Sequence, residues 1–146
     1  MLDYDFLYAL EGTPYAPPPA VWVNVESPMW TTERVLLSPE VIRHQSCTNA
    51  GLGNLARRSA GLCAIGRMAS WWGAYALFGD LYRLDTLYPM GTLLLRAYRG
   101  EDDPGHLGIL TPRGVLHCVP GRGVVLEPED DRWELAVHPD NWLTSA

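Results

Sequence analysis

One cysteine lies where its surroundings could make it a nucleophile. Cys47 follows a polar run and precedes leucines and alanines spaced as on a buried helical stripe, which predicts a helix starting near this residue. The unpaired N–H groups and the positive dipole end of a helix favour thiolate over thiol. Cys47 is therefore a candidate nucleophile, and its backbone N–H is a candidate hydrogen-bond donor to an oxyanion.

Two histidines further along the chain could supply the base that such a nucleophile needs. His106 and His117 lie in strand-like runs joined by Thr111-Pro112-Arg113-Gly114. If Pro112-Arg113 is the centre of a two-residue turn, His106 faces Val119 and lies diagonal to His117 on the same sheet face, within side-chain reach, whereas a three-residue loop would put the two histidines on opposite faces. The first imidazole could then activate the thiol while the second orients its ring. His44, close to the cysteine in sequence, is the alternative base.

A single α+β domain covering residues 1–146 is the architecture that the sequence predicts around these side chains. Hydrophobic residues make up 47% of the chain and six residues are tryptophan, so we expect one compact core. The last strand is expected to close the edge of the sheet. Apolar spacing and turn residues predict helices over 5–10, 47–60 and 62–81, strands over 20–25, 92–98, 106–110, 115–119, 124–127 and 133–137, and a short strand or turn at 34–37.

Composition argues against several classes of partner. The net charge is −6 and the arginines are scattered, so the basic face that phosphate-backbone binding needs is missing and no nucleic-acid partner is expected. The chain starts with acidic residues where a signal peptide would be basic, and it has no membrane-length apolar run, so neither an export signal nor a membrane partner is predicted. Three cysteines, an odd number, indicate reduced thiols.

Other chemistries fit the sequence less well. A zinc site built from Cys47, His106, His117 and Cys118 would lack the usual CxxC or HxxxH spacing, and neighbouring strand residues point to opposite faces. No metal or other cofactor is therefore expected. The chain also has no GxSxG nucleophile elbow and no glycine-rich phosphate loop, which argues against serine hydrolysis and nucleotide binding.

Several motifs could have either a functional or a structural role, and the structural role is preferred for each. The prolines at 17–19 could be a ligand for an aromatic groove, but they are expected to form a loop. The aromatic cluster at 71–78 could stack on sugars, but it is expected to be core. Cys63 and Cys118 are also predicted to be core residues, and His138 to lie on the surface.

Five stretches in chain order resemble the NlpC family of bacterial and phage cell-wall cysteine peptidases. The resemblance spans roughly residues 5–127, and its most specific piece is a Gly-His-Leu-Gly-Ile strand followed eleven residues later by a second histidine. The five stretches are Gly12-Thr13-Pro14-Tyr15, Cys47-Thr48-Asn49-Ala50-Gly51-Leu52, Gly91-Thr92-Leu93-Leu94, Gly105-His106-Leu107-Gly108-Ile109 and Val115-Leu116-His117.

This resemblance implies a minimal papain-like fold in which a cysteine-led helix packs on an antiparallel β-sheet. It implies that Cys47 is the nucleophile, that His106 is the general base, and that His117 orients the base. Tyr15 matches a tyrosine beside the family's nucleophile, and we expect Tyr15 and Ser46 to support the substrate or the oxyanion. The implied activity is hydrolysis of peptidoglycan stem peptides, after a D-glutamyl residue and before a diamino acid.

The chain departs from the family pattern around the nucleophile. The family usually shows Asp-Cys-Ser-Gly, whereas this chain has Ser46-Cys47-Thr48-Asn49 with the glycine delayed to Gly51. A second hypothesis is therefore an inactive NlpC-like fold that binds a protein, for instance a phage factor docking on a host or virion protein. A third is an acyl transferase using the same Cys–His pair. We expect a cytoplasmic or phage-associated chain, which would reach a cell wall through lysis, a virion or a secretion machine.

Overall fold

The computed structural model describes residues 1–17 and 38–144, and within them the chain has an α+β fold. Five helices accompany a six-stranded antiparallel sheet, so the predicted fold class is confirmed. None of the described helices is long and apolar enough to cross a membrane. Pro18, Pro19, the strand predicted over 20–25 and the strand or turn predicted over 34–37 lie outside the described residues.

Short polar side chains cap the first and third helices at their starts. Asp3 accepts a hydrogen bond from the Phe6 N–H at 3.0 Å, and the Thr48 hydroxyl accepts one from the Gly51 N–H at 2.8 Å. The third helix therefore begins two residues after Cys47, since the capping side chain is that of Thr48. The helices are α1 (Tyr4–Ala9), α2 (Pro39–Arg43), α3 (Asn49–Ser59), α4 (Met68–Tyr75) and α5 (Pro139–Trp142), and a 3-10 turn at Ala76–Phe78 follows α4.

The sheet has the strand order β1-β6-β2-β3-β4-β5. Its last strand in sequence, β6, lies between β1 and β2, so the prediction that it closes the edge of the sheet is wrong. The reason is long-range pairing, because β2 has β6 on one side and β3 on the other. The strands are β1 (Asp80–Leu81), β2 (Leu93–Arg96), β3 (His106–Thr111), β4 (Gly114–Val119), β5 (Gly123–Glu127) and β6 (Leu135–Val137).

The β3–β4 hairpin has the register that a two-residue turn at Pro112-Arg113 predicts. Ile109 pairs with Leu116, and the pairs continue towards the turn from there. The ladder stops at Ile109, so the first half of β3 separates from β4. His106 consequently has no strand partner on that side, although it still pairs with Arg96 of β2.

The two faces of the sheet carry two separate clusters of buried side chains. The larger cluster joins the helices to one face, and the smaller covers the other face. Side chains alternate along a strand, so consecutive residues of β3 and β4 belong to different clusters. The larger cluster includes Cys47, Leu52, Leu55, Trp71, Leu107, Ile109, Leu116 and Cys118, and the smaller consists of Tyr82, Leu94, Leu110, Val115, Trp133 and Ala136.

The long helix predicted over residues 62–81 is interrupted. The side-chain oxygen of Asn54 accepts hydrogen bonds from Ile65 N–H, Gly66 N–H and the indole of Trp71, which folds the connection between α3 and α4 into a turn. Trp71 and Tyr75 are buried, as expected for core, but Leu77 and Phe78 are 94% and 56% exposed, so the core prediction for the cluster at 71–78 is wrong at its end. Cys63 lies in this connection and is exposed, so the prediction that it is a core residue is wrong.

Candidate active site

A buried chain of hydrogen bonds joins three polar side chains from three adjacent strands. Nε2 of His106 lies 2.8 Å from Nδ1 of His117, and Nε2 of His117 lies 2.7 Å from Oε1 of Glu127. Both imidazoles are buried. The predicted contact between the two histidines is therefore present, and the third member of the chain is a glutamate.

The carboxylate fixes the direction of the protons along this chain. Glu127 can only accept when ionised, so His117 donates from Nε2 and accepts at Nδ1. His106 must then donate from Nε2, which leaves a lone pair on its Nδ1. Within the described residues this Nδ1 makes no hydrogen bond. The chain of bonds therefore presents an unprotonated nitrogen, as a general base requires.

Sheet register and an aromatic ring hold the chain of bonds in place. His117 pairs with Val125 across β4 and β5, so Glu127 is its diagonal neighbour on the same face. The other oxygen of Glu127 accepts a hydrogen bond from Arg122 at 3.0 Å. The ring of Trp133 packs 5.6 Å from the His106 ring and 5.8 Å from the His117 ring, measured between centroids.

Burial keeps both imidazoles neutral. Loss of solvent, followed by the nearby His117 charge, lowers the pKa of His106 to about 3. Burial also lowers the pKa of His117, although its hydrogen bond to Glu127 opposes this shift. The bond from Arg122 lowers the pKa of Glu127, which keeps that carboxylate ionised. At neutral pH the site thus holds two neutral imidazoles and one carboxylate.

Asn49, the first residue of α3, occupies the space where β3 separates from β4. Its side-chain nitrogen donates to the Gly105 carbonyl at 3.3 Å, and its oxygen accepts from the Leu107 N–H at 3.0 Å. These two backbone groups flank His106. Gly105 has φ +76°, and a Cβ there would come within 2.3 Å of the Arg96 carbonyl, so this position requires glycine. The start of α3 is therefore fixed against the histidine by an amide side chain.

The backbone of Cys47 is already engaged by the N-terminal segment. Cys47 forms a parallel bridge with Tyr15, in which its N–H donates to the Pro14 carbonyl at 2.8 Å and its carbonyl accepts from the Ala16 N–H at 3.0 Å. The prediction that the Cys47 N–H is an oxyanion donor is therefore wrong. Cys47 precedes the helix, and for this reason the Cys47 N–H is not one of the unpaired groups at the helix start.

The thiol of Cys47 is buried on the helix side of the sheet. It is fully shielded from solvent and donates to the Thr48 carbonyl at 3.2 Å. The Cys118 thiol donates to the Cys47 carbonyl at 3.3 Å. A side-chain hydrogen bond with Cys118, together with burial, raises the pKa of Cys47 well above its ordinary value. Because His117 and Cys118 are consecutive strand residues, the thiol lies with Cys118 on the face opposite the imidazoles.

The remaining predicted residues are placed as follows. Tyr15 is half-buried beside Cys47 through the backbone bridge, and burial raises the pKa of its phenol. Ser46 is half-buried, and its hydroxyl makes no hydrogen bond within residues 1–17 and 38–144. His44 is exposed at the end of α2. His138 is exposed as the cap of α5, in agreement with the surface prediction.

No metal-binding cluster of three or more histidine, cysteine or acidic residues occurs in the part of the chain that the structure describes. Cys118 is buried in the core, as predicted, and points away from the two histidines.

Three residues of the site were not anticipated from the sequence: Asn49, Glu127 and Trp133. Glu127 could have been found by extending the register argument to the β4–β5 hairpin, because it lies two residues beyond the partner of His117. Asn49 carries a weaker signal, the Thr48 cap that sets the helix start. Trp133 has none, since it reaches the site from outside the strands that carry the histidines.

The chain was compared with protein families and with characterised proteins. No family model matches it, and no curated protein matches it.

Proposed function

We propose that the chain is a non-hydrolytic, protein-binding relative of the NlpC-type peptidases. The observation that carries this proposal is made at the start of α3, where the family resemblance implies a cysteine nucleophile: the amide of Asn49 lies there, bonded to the backbone on either side of His106. An amide nitrogen is not a useful nucleophile, because its lone pair is delocalised and it has no acidic proton to give to His106.

The observed helix start supports a different register for the family resemblance. If the Asp-Cys-Ser-Gly motif is moved by two residues, it falls on Thr48-Asn49-Ala50-Gly51. The glycine then matches without a delay, and the family's cysteine falls on Asn49, the first residue of α3. In this register the nucleophile has been replaced and the histidines have been kept.

The properties of Cys47 also argue against hydrolysis. Cysteine catalysis needs a thiolate that solvent and substrate can reach. Here the thiol is buried, its pKa is raised, and its neighbour is Cys118 rather than an imidazole. For Cys47 to attack a peptide, the segment before α3 would have to break its bridge to Tyr15 and move around the strand.

One observation favours a second candidate, the cysteine peptidase acting on peptidoglycan stem peptides. The hydrogen-bonded chain from Glu127 through His117 to His106 presents a lone pair in the way that a catalytic base requires. A protein that catalyses no reaction does not need that orientation for chemistry. Its buried imidazoles still need hydrogen-bond partners, and the same bonds provide them.

A digest of purified muropeptides distinguishes the two candidates. The wild-type chain, Cys47→Ala and His106→Ala are incubated with muropeptides under reducing conditions and the products are read by mass spectrometry, with an active cell-wall peptidase as the assay control. We expect no new fragments from any form of this chain. Fragments made by the wild type and lost in both variants would establish the peptidase.

The binding part of the proposal has its own test. The immobilised wild-type chain is exposed to lysates and virion extracts, and retained proteins are identified by mass spectrometry. We expect one stoichiometric partner from one of these sources. If neither source yields one, the protein-binding proposal is contradicted even when the muropeptides remain intact.

A further inference from the structure

Exposed apolar side chains are concentrated in one segment far from the histidines in sequence. Of the eight large hydrophobic residues that the described part of the chain exposes, six lie between residues 77 and 90, and they are between 42% and 95% exposed. Single exposed apolar side chains are common on monomers, whereas a concentration of them in one segment is typical of an interaction site. The six residues of this apolar segment are Leu77, Phe78, Leu81, Leu84, Leu87 and Met90.

The apolar segment contains β1, an edge strand of the sheet. β1 pairs with β6 only, and the Tyr82 N–H that follows it donates to the Glu134 carbonyl of that neighbour at 2.9 Å. Hydrogen-bonding groups alternate in direction along a strand, so those of Leu81 point away from β6. Among the described residues, the N–H and C=O of Leu81 have no hydrogen-bond partner.

The N–H groups on either side of Leu81 along this edge are already satisfied within the chain. The Gly79 N–H donates to the Ala76 carbonyl at 3.2 Å, and the Arg83 N–H donates to the Tyr88 hydroxyl at 2.7 Å. Among the described residues, the free edge therefore offers one donor, the Leu81 N–H, and two acceptors, the carbonyls of Leu81 and Gly79. An incoming peptide that adds a strand gains affinity from a run of main-chain bonds, and this edge cannot supply such a run.

We propose that the apolar segment binds a second copy of this chain across a two-fold axis through Leu81. In an antiparallel pair, the Leu81 N–H donates to the carbonyl of Leu81 of the partner subunit and receives the same bond in return, which uses both free groups of Leu81 completely. The exposed leucines and Phe78 then cover one another. In this pairing, facing residue numbers sum to 162, so Phe78 of one copy faces Leu84 of the other. This proposal is independent of what the histidine site does.

Light scattering coupled to size-exclusion chromatography tests the dimer in the full chain. Leu81→Pro removes the outward N–H and leaves the ladder to β6 intact, since that ladder does not use it. We expect a wild-type dimer and a Leu81→Pro dissociation constant raised about tenfold or more, the effect of losing one or two hydrogen bonds. Val41→Ser, which changes an exposed apolar residue elsewhere, should leave the dimer unchanged. Circular dichroism checks that each variant is folded.

A cross-link tests the position of the axis. Directly paired residues of an antiparallel hydrogen-bonded pair have α-carbons about 5.5 Å apart, within the range of a disulfide. Leu81→Cys is made in a Cys63→Ser background, because Cys63 is exposed, and is oxidised with diamide. We expect a covalent dimer from Leu81→Cys and none from Val41→Cys. A wild-type monomer at high micromolar concentration, or equal cross-linking at both positions, would overturn the proposal.

Discussion

The two faces of the sheet at β4 place thiols on one side and imidazoles on the other, in two different environments. On the helix side, Cys47 and Cys118 form a buried thiol pair within an apolar core. On the other side, His106 and His117 form a directed chain of hydrogen bonds that ends in a solvent-facing ion pair of Glu127 and Arg122. The cysteine and the two histidines therefore lie on opposite faces of the sheet. The alternation of side chains along the strand separates them, and Asn49 at the start of α3 is bonded to the backbone on either side of His106.

The histidine side is also a stable packing arrangement. Each imidazole there has at least one hydrogen-bond partner, and the aromatic ring of Trp133 covers both imidazoles. Such a network contributes to stability whether or not a nucleophile is present, because breaking any one bond leaves a buried group unsatisfied.

The largest effect is expected from removing the cover of the histidine side. Trp133 is 5% exposed and packs against both imidazoles. Trp133→Ala should lower the free energy of unfolding by about 3–5 kcal/mol, measured by urea denaturation. Val41→Ala, at an exposed site, should change it by less than about 0.5 kcal/mol. A cost for Trp133→Ala as small as the control would show that this face is not a packed cluster.

A smaller loss is expected from the amide that joins the helix start to β3. Asn49→Ala leaves the Leu107 N–H and the Gly105 carbonyl without partners, which should cost about 1–3 kcal/mol. Asn141→Ala is the matched control, because Asn141 is exposed. If Asn49→Ala is as stable as the wild type, the amide does not anchor the helix start to β3.

The pH dependence of stability should contain a contribution from the buried imidazole of His106. The folded-state pKa of His106 is lowered to about 3 from 6.5, so the unfolded chain binds a proton that the folded chain does not. The contribution of His106 is fully present above pH 6.5 and falls as the pH drops towards 3, by up to about 1.4 kcal/mol per unit. His106→Asn should flatten this slope in urea titrations across that range. An unchanged slope would contradict the buried neutral imidazole.

The smallest effect is expected on the thiol side. Cys47→Ala deletes one buried atom from a packed core and should cost about 1 kcal/mol. It should leave the acid slope as it is in the wild type, because the thiol and the imidazoles lie on different faces. A changed slope in Cys47→Ala would mean that the thiol and His106 are coupled, which would contradict their placement on opposite faces of the sheet.

Local patterns predicted the parts of the site that depend on local geometry. The turn at Pro112-Arg113 fixes the hairpin register, and the register places His106 and His117 on one face. The same arithmetic across the next turn would have found Glu127. The start of α2 also has a local signal, because Ser38 precedes a proline, Pro39, at the first helical position.

Contacts between segments distant in sequence determine the start of α3 and the position of β6 in the sheet, which local patterns do not specify. Ser46 and Thr48 are both possible helix caps, and the choice between them determines whether Cys47 or Asn49 is the first residue of the helix. The choice rests on the bonds of Asn49 to the strand, which are remote in sequence. The insertion of β6 between β1 and β2 likewise depends on pairing between distant segments, since local alternation specifies a strand but not its neighbours.

Alkylation of the folded protein tests whether the Cys47 thiol can react as a nucleophile. In a Cys63→Ser background, native protein is treated with iodoacetamide at neutral pH, and adducts are located by peptide mapping. No adduct is expected at Cys47 in the folded parent, because its thiol is fully shielded from solvent, and one adduct is expected in the Asn49→Cys derivative, whose new thiol lies at the half-buried start of α3. Rapid modification of Cys47 in the folded parent would contradict the account and return the nucleophile to that residue.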